Sequence, residues 1–336
     1  MKVGGKGVPV PGGFEPDQKF VNVSAPAAAP KECLSKCRAK HYDCADARNW
    51  QNKPGRMPTR LINVSRHEEG LLCIEQLHNP PTPYAALSHR WNVGETPWTT
   101  QTTNVESRST WFSSACLPKT LTDAAKITDG LGLRYVWIDS LCIIQNDKED
   151  WKTATASMAD VYANAEVTLF ADCAKDDDAG FLDLVPSIDR PVLFNLQSEG
   201  VPGLPYIVRY SCNPKPSFEY ANAIGPSHLN ERGWILQERL LSRRQIHFYE
   251  TEWAWKCSML SITQSGREAP KDDLPDWLQQ TGQSGSWDAA QAPDIWWEIV
   301  ERYSTMKLSR SSDRLPAISG IAQIFSKFIP GPCVTA

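Results

Sequence analysis

Three apolar runs in this chain each end abruptly in polar residues, and no other feature constrains the fold as strongly. Tyr84-Ala85-Ala86-Leu87 runs into Ser88-His89-Arg90-Trp91, and Tyr135-Val136-Trp137-Ile138 into Asp139-Ser140-Leu141-Cys142. Ala165 to Ala171 runs into Asp172 and the acidic stretch Asp176-Asp177-Asp178. Short apolar runs of this kind read as strands buried on both faces. Helical patterns separate them. Leu121, Ala124, Ala125, Thr128 and Leu131 recur at helical spacing, with Thr120 and Asp123 as a capping box and Gly130 or Gly132 as the stop. After Asp147, the residues Trp151, Ala154, Met158, Val161, Tyr162 and Ala165 share a second helical face, and Glu149 and Asp150 favour its positive end. Strand, helix, strand, helix, strand predicts parallel crossovers and an α/β core over roughly 80–250. In such sheets ligands bind beyond the carboxyl ends of the strands, so the polar clusters are where chemistry is expected.

With 336 residues, 41% of them hydrophobic, the chain can bury a full core and is long for one compact domain, so extensions are expected around it. Residues 1–30, with Gly4-Gly5, Pro11-Gly12-Gly13 and Ala25 to Pro30, read as a flexible lead-in. Residues 31–80 carry a short helix over Cys33 to Cys44 and a small hairpin made by Arg60–Val64 and Leu71–Ile74. The core then takes 81–255, interrupted at about 183–230 by a β-rich insertion signalled by Pro191–Phe194, Tyr206–Tyr210 and scattered prolines. Leu229 to Leu241 reads as a helix and Gln245 to Tyr249 as a strand. Residues 256–336 form a polar loop and a helical flank, with helices at Ile295–Tyr303 and near Ile318–Phe328.

The net charge of -4 and pI near 5.9 give no attraction to phosphate backbones, so nucleic acid is not an expected partner. Apolar runs are too short for a membrane span and the first residues do not resemble a signal peptide, which predicts a cytoplasmic protein without a membrane partner. Its ten cysteines are then expected as reduced thiols. Cys33, Cys37, His41 and Cys44 have ligand-like spacing. On one straight helix, however, the first and last would lie about 16 Å apart, against zinc–sulfur bonds of about 2.3 Å, so the stripe reads as a packed face and no metal is expected unless the helix breaks. No Gly-x-Gly-x-x-Gly or Walker-type loop occurs.

Four ordered stretches resemble the motifs of the fungal heterokaryon incompatibility (HET) domain. They are Tyr84 to Trp91, Leu131 to Gln145, Met158-Ala159-Asp160-Val161-Tyr162, and Arg232 to Ser242. The resemblance departs at Arg90-Trp91-Asn92, where the family more commonly has Trp-Gly after the histidine. It implies a role in allorecognition and programmed cell death. It also implies a core similar to the Toll/interleukin receptor (TIR) domain, some members of which cleave NAD. The expected architecture is therefore an open, mainly parallel TIR-like sheet flanked by helices, with the β-rich insertion and helical N- and C-terminal extensions. Expected partners are further copies of the chain and a triggering protein that the residues do not identify.

Glu238 is the catalytic residue that the resemblance implies, because Trp234-x-x-x-Glu238 is similar to the TIR stretch bearing the catalytic glutamate, with Ile235 where that stretch has cysteine. A carboxylate near the ribose can stabilise the oxocarbenium-like centre formed when nicotinamide leaves. No cofactor is expected to be held permanently, and NAD enters as substrate. Ser88, Arg90, Trp91, Asp139 and Trp234 are the expected nucleotide contacts, with Arg90 on phosphate, Trp91 against a ring and Asp139 on ribose hydroxyls. Four of these have a plainer use: Glu238 in an ion pair with Arg232, Arg239 or Arg243, Ser88 and Asp139 as caps, Trp91 as core. A Ser-His-Asp hydrolase built on Ser88, His89 and Asp139 is disfavoured, since adjacent residues of a strand point to opposite faces and no nucleophile elbow is present.

Overall fold

The apolar runs pair at the middle of an open nine-stranded sheet. The computed structural model describes residues 27–42, 44, 57–77, 83–92, 94, 96–183, 192–195, 205–208, 227–264, 266, 269 and 289–329. In chain order, α1 (Ala28–Lys40) is followed by β1 (Arg60–Asn63), β2 (Leu71–Gln76), β3 (Tyr84–Ser88), β4 (Phe112–Ser113), α2 (Lys119–Gly130), β5 (Tyr135–Trp137), α3 (Lys148–Asn164) and β6 (Val167–Phe170). Then come β7 (Val192–Asn195), β8 (Pro205–Val208), α4 (Gly233–Leu241), β9 (Arg244–Phe248), β10 (Trp253–Cys257), β11 (Leu260–Thr263), α5 (Ala292–Ser304) and α6 (Pro316–Phe325). Shorter helical turns, including Asp139–Cys142, join them.

The order across the sheet is β11-β10-β9-β6-β3-β5-β1-β2-β4. Its centre, β9-β6-β3-β5, is parallel, and antiparallel strands extend it on both sides. Every residue of β3 is buried, as a central parallel strand covered on both faces requires. From β3 the chain steps one way to β5 and then back across β3 to β6. Right-handed connections therefore set α2 and α3 on opposite faces. Asp147 caps α3, accepting from the backbone N–H of Glu149 and Asp150 at 2.9 and 3.1 Å. The α/β class and the flanking helices agree with the sequence expectation.

Several local expectations need correction. The hairpin β1–β2 is no separate unit, because β1 also pairs with β5 and joins the main sheet. Thr120 and Asp123 do not cap α2. Thr120 Oγ1 donates to Asp176 O, and Asp123 accepts from the N–H groups of Phe181 and Leu182, so the pair fastens the 176–182 loop to the helix. α4 starts at Gly233 rather than Leu229, and α1 starts at Ala28 and stops at Lys40, with His41 outside the helix. The antiparallel pair β10–β11 was not expected at all. The insertion does contain strands, β7 and β8, paired antiparallel. Most of the lead-in, residues 45–56, the rest of the insertion and most of the polar loop within 256–336 lie outside the described residues.

α5 and α6 bury Ile299, Tyr303, Ile318, Ile321 and Phe325 against Leu236 and Leu240 of α4. On another face of α4, Ile235 packs with Phe170 of β6 and with Leu229. α4 is thus held between the C-terminal helices and the edge of the sheet where parallel strands end.

Candidate functional site

Parallel pairing brings two of the polar clusters level. Tyr84 lies opposite Tyr135 and Ala86 opposite Trp137, so continuing the register by two residues sets Asp139 beside Ser88. Ser88 has the same orientation as Tyr84, whose hydroxyl donates to Val161 O of α3 at 2.6 Å, so it faces the side on which α3 packs. His89 turns the other way. Its Nε2 lies 3.1 Å from Asp177 Oδ1 and its Nδ1 3.8 Å from Asp139 Oδ1.

Asp139 is well supplied with donors. Its carboxylate accepts from Ser140 N at 2.7 Å and from the Trp91 indole at 3.2 and 3.1 Å. Trp91 in turn stacks beside His89 and meets Trp98 edge-on. Asn92 exchanges two bonds with Asp177, donating from its backbone and accepting at its side chain, at 2.6 and 2.7 Å. This clamp ties the loop after β3 to the loop after β6.

Glu238 arrives from α4. It sits three residues beyond Ile235, on the side turned to the sheet, and is buried. Ser242 donates to Glu238 O at 2.6 Å; its single proton is then committed, so Thr168 of β6 donates to Ser242 Oγ at 2.6 Å. Burial pushes the Glu238 carboxyl above its ordinary range. The positive charge of Arg232 and the Ser88 hydroxyl oppose that shift, Asp139 adds to it, and His89 opposes it. The charge of Glu238, after burial itself, helps raise the phenol of Tyr162, whose hydroxyl donates to Leu87 O at 3.2 Å.

Ser88, Asp139 and Glu238 therefore share one neighbourhood at the carboxyl ends of β3 and β5, with His89, Tyr162 and Trp91 around them. Arg90 and Trp234 are placed differently. Arg90 is exposed and its charge acts on Glu231, and the Trp234 indole is directed to Asp313 Oδ2 at 3.3 Å among the C-terminal helices. Among the described residues, Ser88 Oγ, His89 Nε2, Ser140 Oγ and Asp177 Oδ1 are buried without a hydrogen bond of ordinary geometry. For His89 and Asp177 the separation is short but the alignment is poor. The Ser88 hydroxyl is near enough to Glu238 to lower its carboxyl. Leaving a buried polar group unsatisfied costs about 1–3 kcal/mol.

A second buried network was not foreseen. Asp172, at the end of β6, accepts from His247 Nδ1 of β9 and from Arg239 of α4, each at 2.8 Å, and from Ser227. His247 Nε2 faces Gln245 Oε1 at 2.9 Å, while the Gln245 amide donates to the backbone carbonyls of Arg239 and Ser242. Burial would raise the Asp172 carboxyl, but His247 and Arg239 outweigh it and hold it below its ordinary value. The strand-end position of Asp172 was the available signal. Its partners lie far along the sequence and carried none.

Residues 84–238 match the family model described as Heterokaryon incompatibility protein (HET). No curated protein and no solved structure matches the chain. Among the described residues, no helix is long and apolar enough to cross a membrane.

Proposed function

The chain carries a heterokaryon incompatibility domain over residues 84–238, which ties it to heterokaryon incompatibility, and on that premise we propose that the domain acts by cleaving NAD. The observation that supports this reading is the grouping of Glu238 with Ser88 and Asp139 beyond the ends of β3 and β5, among the buried polar side chains His89 and Asp177. In the reaction the bond between nicotinamide and ribose breaks, its electron pair leaves with nicotinamide, and water adds at the ribose carbon with release of one proton. Glu238, in its ionised form, stabilises the developing ribose cation. Arg232 and Ser88 favour that form against the cost of burial. Asp139 accepts from ribose hydroxyls, and Trp91 holds Asp139 in place. Self-association of the domain organises this site, and cell death after fusion of incompatible fungal cells follows from NAD loss in the cytoplasm.

Free nicotinamide is the direct readout. The purified, concentrated chain should release it from NAD, and Glu238→Gln should slow release by about 10²–10³-fold, the usual scale for losing one electrostatic stabiliser. Release undiminished in the variant would overturn the assignment of Glu238. No release from self-associated wild type would instead favour a non-catalytic assembly module.

A further inference from the structure

The break at the end of α1 changes what its cysteines can do. With α1 ending at Lys40, His41 and Cys44 are freed from the straight stripe that would hold them apart. Cys37, His41 and Cys44 then meet a fourth residue from the far side of the sequence, Cys257 at the end of β10. One donor atom from each of the four lies within 4.8 Å of every other. His41 Nδ1 is 3.4 Å from Cys257 Sγ and 4.0 Å from Cys44 Sγ. A tetrahedral zinc ion with bonds of about 2.0–2.3 Å spaces its ligands by roughly 3.4–3.8 Å, so the cluster needs only small adjustments to close on one ion. Cys33 stands outside it. The straight-helix objection is correct for Cys33 and does not apply to the set that the fold assembles.

We propose that Cys37, His41, Cys44 and Cys257 bind one zinc ion that clamps the N-terminal helix to the antiparallel edge of the sheet. Three thiolates and one imidazole form a soft, closed donor set, which suits zinc in a structural role and leaves no position for substrate. Binding releases three thiol protons and leaves the centre with one net negative charge. A cation is in place to balance it: Arg244 Nε donates to Cys37 Sγ at 3.2 Å, and another nitrogen of the same guanidinium donates to Cys44 O at 3.4 Å. Glu166 holds Arg244 at 3.0 Å and is also paired with Arg38 of α1. An arginine so fixed against a ligand sulfur is the outer support that metal thiolates use. The three cysteines are buried, which keeps them from solvent oxidants.

The test uses the full chain, produced with zinc available and purified without reductant or chelator under nitrogen. Elemental analysis should find about one zinc per chain, and zinc-edge absorption should report three sulfur ligands at about 2.3 Å and one nitrogen at about 2.0–2.1 Å. Cys257→Ser should weaken zinc retention in competition with a chromogenic chelator by at least about 100-fold, and Arg244→Gln by about 10-fold. Cys33→Ser and Cys116→Ser should retain it as wild type does. Wild type without zinc, a different ligand count, or a disulfide joining any two of the four positions would overturn the proposal. So would equal losses in Cys33→Ser and Cys257→Ser. The absorption measurement needs no variant, so a misfolded Cys257→Ser does not leave the question open.

Discussion

The indole N–H of Trp91 reaches both carboxylate oxygens of Asp139, at 3.2 and 3.1 Å, from a loop 48 residues away in sequence. It couples the segment after β3 to the segment after β5, at the ends of two neighbouring parallel strands. Trp91→Phe keeps most of the ring and removes the donor. A hydrogen bond to a charged acceptor contributes about 1.5–3 kcal/mol when buried, and partial exposure of Asp139 reduces this, so a loss of about 1 kcal/mol is expected. Urea midpoints at unchanged slope would measure it. If NAD cleavage is the activity, the variant should lose more in nicotinamide release than its stability alone explains.

Glu238 gives stability a definite pH dependence. Because burial raises its carboxyl, the native chain holds that proton more tightly than the unfolded chain does. The favourable contribution is complete below the unfolded value of about 4.3 and is lost as pH rises through the raised folded value. Glu238→Gln removes the ionisation. The variant should gain on wild type as pH rises from about 4.3, and the difference should become constant above the folded value. Paired urea titrations across this range would show it; a difference between variant and wild type that stays constant with pH would contradict it.

The strands β3, β5 and β6 and the helices α2 and α3 were legible because each is a local pattern, a short apolar run or a stripe at helical spacing, whereas the two-residue β4 carries no such pattern. β10 and β11 were not, because Trp253–Cys257 mixes tryptophans with a buried Lys256 and gains its identity from pairing with β9 and β11. The same reason hid Cys257, whose partner His41 lies 216 residues earlier. Asp177 stands in an acidic run in the sequence, yet it is buried against His89 and Asn92. Charge density in sequence does not show which carboxylate the fold turns inward. Ser88 and Asp139 were readable as strand-end residues; their approach to Glu238 depends on where the C-terminal helices hold α4.

Asp172 should behave oppositely to Glu238 under acid. Its carboxyl is lowered in the native state, so its contribution is complete above the unfolded value of about 3.9 and disappears as pH falls through the lower folded one. At neutral pH, Asp172→Asn leaves Arg239 and His247 facing a neutral amide inside the protein. Removing one partner of a buried pair costs about 3–5 kcal/mol. The difference between variant and wild type should be of that size at pH 7 and shrink below about pH 3.9. Chemical denaturation at both pH values tests size and sign together.

Gly320 tests whether the C-terminal helices position α4. Its N–H donates to Gln237 Oε1 at 2.9 Å, next to Glu238 on the same helix. A methyl group there would meet Ala159 Cβ of α3 and stand 2.6 Å from Gln237 Oε1, so α6 lies against α3 and α4 only because this residue has no side chain. Gly320→Ala raises helix propensity, which alone would stabilise an exposed helix by about 1 kcal/mol. At this crossing, overpacking should dominate, with a net loss of about 1–3 kcal/mol. Because the methyl pushes on Gln237, the displacement passes to α4 and to its neighbour Glu238. The expected result is a lower melting temperature together with a change in the Glu238-dependent pH profile of stability. A stabilised variant with an unchanged profile would mean that α6 is free to shift and that α4 takes its position from the sheet alone.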